Sequence, residues 1–153
     1  MRHRGEQPGP AAGRKMRVLL VDDCDELLSL MTCVLLEKGF DVGAAADARQ
    51  GYKMALEGDF DLLVTDIYMP DVKGNSLIGM LRVSGFKAPI IVVSGYVGCL
   101  EASRLKELGV VRVMPKPFKI ASLLDAVRQA LDVGGAEESL PDGEERIGLI
   151  ASG

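Results

Sequence analysis

No run of apolar residues in this chain approaches the ~18 that a membrane-crossing helix needs. The basic N-terminus carries no apolar core of the kind an export signal requires. Neither a membrane span nor secretion is therefore expected. Cysteine is scarce. Cys24, Cys33 and Cys99 make an odd count without metal-type spacing, which argues against a disulfide framework and reads as reduced thiols in a cytoplasmic protein. Basic residues are not in excess. A net charge of −4 gives no electrostatic footprint for nucleic acid, so neither a nucleic-acid nor a membrane partner is expected. The single histidine, His3, enters no pattern.

The chain does hold four short apolar runs, each ending in a polar residue of a particular kind. Val18-Leu19-Leu20-Val21 leads into Asp22-Asp23, and Leu62-Leu63-Val64 leads through Thr65 into Asp66. Ile90-Ile91-Val92-Val93 leads into Ser94, and Val111-Arg112-Val113-Met114 leads through Pro115 to Lys116. As strands of one parallel sheet, these runs gather three carboxylates, a hydroxyl and an ammonium at one sheet edge. Three carboxylates need a cation to share a site. A hard divalent ion with oxygen ligands, Mg²⁺ first, fits and points to phosphoryl chemistry.

The 153 residues suit one domain with tails. Residues 1–15, rich in Arg, Gly and Pro, read as a disordered basic leader. Five strand–helix units follow within 16–132: strands at 17–22, 41–46, 61–65, 90–94 and 111–115, and helices at 25–38, 48–57, 75–84, 98–108 and 119–132. The first helix is expected to bury Leu27, Met31, Val34 and Leu35, the third Leu77, Ile78 and Leu81, and the fifth Ile120, Leu123, Leu124, Val127 and Leu131. Asp47 and Gln50 suit a capped start for the second helix. Residues 133–153, with Glu137, Glu138, Asp142, Glu144 and Glu145, read as a flexible acidic tail. Strands that are apolar at consecutive positions are covered on both faces, so an α/β fold with an open, doubly wound parallel sheet is expected. Ligands of such sheets sit beyond the carboxyl ends of the strands.

Asp66 at a strand exit is placed to attack a phosphoryl group and become an acyl phosphate. Asp22 and Asp23 would help hold the metal, while Ser94 and Lys116 would meet the phosphoryl oxygens. Taken alone, each piece has a plainer reading: Asp22 or Asp23 as a helix cap, Ser94-Gly95 as a turn, Lys116 as a solvated charge, Cys24 as a packed thiol, and Asp71 and Asp25 as turn and helix-start residues. The ordered set outweighs them.

Val-Asp-Asp at 21–23, Thr-Asp-Ile-Tyr-Met-Pro-Asp at 65–71, Val-Ser-Gly at 93–95 and Pro-Lys-Pro-Phe at 115–118 together resemble the receiver domain of two-component response regulators, of the stand-alone, single-domain type. The resemblance implies a flavodoxin-like (βα)5 fold with strand order 2-1-3-4-5. It implies that Asp66 accepts a phosphoryl group from a histidine kinase or histidine phosphotransfer protein. Asp23, Asp66 and the backbone carbonyl of Tyr68 would ligate Mg²⁺, with Asp22 acting through water. Ser94 would be the switch hydroxyl, Gly95 would keep access open and Lys116 would pair with the phosphate. The Lys116–Pro117 peptide would be cis. Such a protein is a phosphoacceptor rather than a turnover enzyme. Nothing after residue 132 reads as an output domain, so output would pass to a downstream protein or along a phosphoryl relay, with a homodimer formed on phosphorylation as a further option.

Several positions depart from the family pattern. Val113 stands three residues before the lysine, where a switch aromatic is usual. Tyr96, two residues past Ser94, and Tyr68, beside the acceptor, are candidates for gating the site. Lys73 and Asn75 flank Gly74, where an acidic residue before the glycine is common. Val113 gives some weight to an alternative, a phosphorylation-independent binding module with the receiver fold. A metal-dependent phosphatase is disfavoured, because Tyr68 occupies the place of its second, acid–base aspartate.

Overall fold

The computed structural model describes residues 14–133, apart from the side chains of residues 72–75, 99 and 133. The remaining parts of the expected leader and tail, and the side chains of Lys73 and Asn75, lie outside the described residues. The elements run β1 (Arg17–Val21), α1 (Asp25–Glu37), β2 (Asp41–Ala45), α2 (Ala48–Glu57), β3 (Leu62–Thr65), β4 (Tyr68–Met69), β5 (Val72–Lys73), α3 (Gly74–Val83), β6 (Ile90–Ser94), α4 (Cys99–Glu107), β7 (Val110–Pro115) and α5 (Ile120–Val133). Five strands form one parallel sheet in the order β2-β1-β3-β6-β7. Numbered along the chain without the short β4–β5 pair, this is the expected 2-1-3-4-5 order.

The apolar runs explain the layering. Side chains alternate across a strand, so Leu19, Leu63, Ile90 and Val92 join α2 and α3 in one core, while Val18, Leu20, Leu62, Val64, Ile91 and Val93 join α1 and α5 in the other. Leu77, Ile78 and Leu81 of α3 are fully buried, as are Leu123 and Val127 of α5. On α1, Leu28 is buried with Met31 and Leu35, whereas Leu27 and Val34 are only partly covered. The inward stripe is thus rotated slightly from the expected one. Gly39, with φ at +96°, follows the end of α1 in the left-handed region that glycine adopts without strain.

Two of three local findings differ from the sequence reading or add to it. Arg14, assigned to the leader, pairs its guanidinium with Asp61 at 3.3 Å. Asp47 caps α2 as expected, accepting from the Gln50 N–H at 2.7 Å. Asp71, in the turn of the antiparallel β4–β5 hairpin, also accepts from the N–H groups of Ala48 (3.3 Å) and Arg49 (3.0 Å). Burial opposes charge on Asp71, but those N–H groups and the Arg49 charge prevail and hold its carboxyl below the usual range. Asp71 is therefore more than a turn residue: it ties the loop that follows Asp66 to the start of α2.

On the far side, the partly buried Arg82 guanidinium donates to the carbonyls of Leu108, Phe86, Ala88 and Gly109. It closes the loops that enter β6 and β7.

Gly51 lets α2 approach β1. A Cβ there would stand 2.7 Å from Val21 Cγ2, at the last strand residue before Asp22. Gly51→Ala is expected to lose about 1–3 kcal/mol through overpacking, more than the ~1 kcal/mol that alanine returns as a helix former. Chemical denaturation measures the balance.

Candidate functional site

The register of β1 and β3 sets Val21 beside Thr65. The next residue on each strand is an aspartate, so Asp22 and Asp66 leave the sheet side by side. Backbone bonds hold both: the Asp66 N–H donates to Val21 O at 3.0 Å and the Asp22 N–H to Ala45 O at 3.1 Å. β1 and β3 flank the point where the strand order reverses, which is where open α/β sheets take ligands. Asp22 and Asp66 are buried, and Asp23 is exposed at the rim. One carboxylate oxygen from each of the three lies within 4.8 Å of the others.

Lys116 arrives from β7. Its N–H donates to Ser94 O at 2.9 Å, and its side chain reaches back past the end of β6. The ammonium donates to Asp66 Oδ2 at 2.8 Å and lies 2.9 Å from Asp22 Oδ2. The approach to Asp22 falls outside hydrogen-bonding geometry, so it is a contact of charge, and the buried Asp22 Oδ2 has no hydrogen-bond partner among the described residues. Burial disfavours the Lys116 charge, but Asp66 and Asp22 outweigh it and raise its pKa. The Lys116–Pro117 peptide is cis, as the resemblance implies.

The other carboxylate oxygens are held by the backbone. Asp66 Oδ1 accepts from the Tyr68 N–H and Asp22 Oδ1 from the Cys24 N–H, both at 2.9 Å. Cys24 is not packed. It is exposed at the N-cap of α1, and Cys24 and Cys33 are free thiols; the side chain of Cys99 lies outside the described residues.

Ser94 is buried at the end of β6, and its hydroxyl donates to Tyr96 O at 3.3 Å. Gly95 is exposed, and an added Cβ would meet nothing within 4 Å among the described residues. Val113 is buried and paired in register with Val92. Its apolar side chain offers Ser94 no hydrogen bond.

Tyr68 and Tyr96, the candidate gates, are both exposed at the rim. The Tyr96 hydroxyl lies over Gly98, 3.5 Å from where a Cβ would stand. The Tyr68 hydroxyl donates to Glu101 Oε1, in the first turn of α4, at 2.5 Å. That hydrogen bond, a little burial and the Glu101 charge push the phenol pKa up to about 12, so Tyr68 stays protonated and remains a donor. Glu101 and Asp71 are contributors that sequence reasoning misses, since their partners are distant in the chain and no spacing rule joins them.

Three carboxylates against one ammonium leave two negative charges in a largely buried patch. Asp22 Oδ2, without a hydrogen bond, adds an unsatisfied acceptor. Mg²⁺ holds oxygens at about 2.0–2.1 Å, so opposite ligands stand about 4 Å apart, and the 4.8 Å limit on this cluster suits such an ion after small adjustment. The donor set is all oxygen. These residues fit a hard divalent cation.

A family model described as the response regulator receiver domain matches residues 18–128. Transcriptional regulatory protein CusR of Escherichia coli (strain K12) is 38% identical over 123 residues, covering 79% of this chain and 53% of the relative. The DNA-binding transcriptional regulator NtrC of Azospirillum brasilense is 30% identical over 135 residues, covering 81% of this chain and 28% of the relative. The chain thus spans about half of CusR and less of NtrC. Among solved structures, the CheY-like receiver domain protein of Methanospirillum hungatei JF-1 aligns with a TM-score of 0.74 at 27% identity, over 77% of this chain and 94% of that one. The family model covers most of the chain and coincides with the sheet whose edge carries the acidic site, so the chain belongs to the response regulator receiver domain family.

Proposed function

We propose that this chain is a phosphoaspartate switch of a two-component system, with Asp66 as the acceptor. The observation that carries this reading is the Lys116 ammonium in contact with both the Asp66 carboxylate, at 2.8 Å, and the buried Asp22, at 2.9 Å. The donor is a phosphohistidine on a histidine kinase or phosphotransfer protein, or a small acyl or amido phosphate. An Asp66 carboxylate oxygen forms a bond to phosphorus as the bond from phosphorus to the donor's leaving atom breaks, and that atom keeps the electron pair: the imidazole nitrogen of a phosphohistidine, the nitrogen of an amido phosphate or the carboxylate oxygen of an acyl phosphate. The product is an acyl phosphate. Hydrolysis returns the carboxylate and inorganic phosphate.

Lys116 is the residue that meets the charge gathering on the phosphoryl oxygens. Ser94 would turn its hydroxyl to the phosphoryl group at little cost, since the bond it gives up, to Tyr96 O at 3.3 Å, is long. Open space at Gly95 leaves a path for the donor. Asp22, Asp23, Asp66 and the Tyr68 carbonyl would hold Mg²⁺. When bound, the ion supplies countercharge to the phosphoryl oxygens and lowers the repulsion between them and the acidic cluster.

Output is assigned to a downstream protein or to phosphoryl relay. The DNA binding in the name of NtrC is a property of that protein, of which this chain covers 28%, and the net negative charge here supports no nucleic-acid contact by the domain itself. A cytoplasmic setting suits free Cys24 and Cys33 and an intracellular phosphodonor. Among the described residues, no helix is long and apolar enough to cross a membrane.

Incubation with Mg²⁺ and a small phosphodonor, followed by intact mass, tests this reading. The expected result is the gain of one phosphoryl group, suppressed when the divalent ion is chelated. Unchanged mass under both conditions would move the weight to a phosphorylation-independent binding module, which the buried, apolar Val113 at the switch position favours.

A further inference from the structure

We propose that the Tyr68–Glu101 hydrogen bond is the device that reports the state of Asp66 to helix α4, in place of the aromatic relay that Val113 cannot supply. This rests on Asp66 being the phosphoacceptor. Tyr68 touches both ends of the path. Its backbone N–H donates to Asp66 Oδ1 at 2.9 Å, and its hydroxyl donates to Glu101 Oε1 in the first turn of α4. A change at the carboxylate therefore acts on a residue whose other end is already tied to the helix.

The chemistry gives the direction. A phosphoryl group adds about −1.5 to −2 charge and new acceptor oxygens. Conversion of the carboxylate to an acyl phosphate weakens Asp66 as an acceptor and draws the Tyr68 N–H toward the phosphoryl oxygens. Glu101, an anion tied to the same tyrosine that bonds Asp66, is repelled by the added charge. Both effects work against the tie, so it is made in the free protein and released on phosphorylation. A two-state element biased by a local charge change is what a modification switch requires.

What α4 presents would change with it. Leu100, beside Glu101, is 88% exposed, and Tyr96, in the loop before α4, is 68% exposed. Both lie on the segment that the tie anchors. Ser94 reaches the same loop through its bond to Tyr96 O, so two bonds that phosphorylation disturbs converge there. Val113, buried on β7, offers no polar group to join them.

The test compares wild type with Glu101→Ala, Glu101→Gln and Tyr68→Phe. Backbone amide shifts of residues 99–103 are recorded before and after treatment with Mg²⁺ and a small phosphodonor. Each shift change is scaled to the phosphorylated fraction from intact mass. Wild type is expected to show large changes there. In Glu101→Ala and Tyr68→Phe the untreated spectrum should already lie toward the phosphorylated position, with the induced change mostly lost. Glu101→Gln, which keeps an acceptor oxygen, should recover part of it. The tie is overturned if Glu101→Ala and Tyr68→Phe, once phosphorylated, show the full wild-type change. Failure of wild type to gain a phosphoryl group removes the acceptor reading and this proposal with it, and is told apart by the mass alone.

Discussion

Asp66→Asn is expected to gain no phosphoryl group under conditions that label the wild type fully. The substitution removes the nucleophile and one negative charge while keeping the shape of the side chain. A carboxamide has nearly the shape of a carboxylate, and its oxygen can still accept from the Tyr68 N–H or from Lys116, which now bond Asp66 at 2.9 and 2.8 Å. The amide has no anionic oxygen to attack phosphorus, so no acyl phosphate forms. The fold should persist, with the thermal midpoint read alongside the mass. Affinity for Mg²⁺ should fall, because one of the three carboxylates in the cluster is gone. Labelling retained in a folded Asp66→Asn protein would place the acceptor elsewhere.

Lys116→Met should weaken both fold and chemistry. Lys116 is the cation in contact with Asp22 and Asp66, and methionine keeps much of its length without the charge. Breaking a fully buried ion pair costs about 3–5 kcal/mol. Lys116 retains part of its exposure to water, which screens the loss, so about 1–3 kcal/mol is expected. The pH dependence has a definite sign. In the wild type the raised Lys116 pKa places the lysine's contribution fully below the pKa of an unfolded lysine, and it is lost only as pH rises through the folded value. It is therefore constant near neutrality. In the variant, Asp22 and Asp66 stand without the ammonium that contacts them, so the deficit relative to wild type is full near neutral pH. Mg²⁺ should offset part of it at neutral pH. Labelling by a small phosphodonor should slow by about 100-fold, the usual scale for losing one charge-stabilising group. Urea titrations at several pH values, with and without Mg²⁺, measure the first effect, and timed intact mass measures the second.

The elements that the sequence exposes most clearly are those whose pattern is local. β1, β3 and β6 are consecutive apolar residues, and each ends at a polar residue whose type is visible in the chain. Their positions fix the site because a parallel sheet places all strand exits on one side. α2 is legible because its cap, Asp47, lies next to it. The β4–β5 hairpin is not, since strands of two residues carry no periodicity, and Met69-Pro70-Asp71 reads simply as a turn. Asp71 on the α2 terminus, Arg82 on the loop carbonyls and Tyr68 on Glu101 all join residues far apart in sequence, where spacing is silent. Leu28 in place of Leu27 is a small rotation of α1 that tertiary packing decides. The exposed Cys24 follows from its place at a helix cap, where its N–H is engaged with Asp22 Oδ1 and its side chain is left outside.

The most direct measurement is the location of the phosphoryl group. Phosphorylated protein is treated with borohydride, which reduces an acyl phosphate to the alcohol with release of phosphate, and is then digested for peptide mass mapping. Homoserine is expected at position 66 in the phosphodonor-treated wild type and unmodified aspartate in the untreated control. A phosphoester that survives borohydride on Ser94 or a tyrosine, or reduction at Asp22 or Asp23 with Asp66 intact, would contradict it.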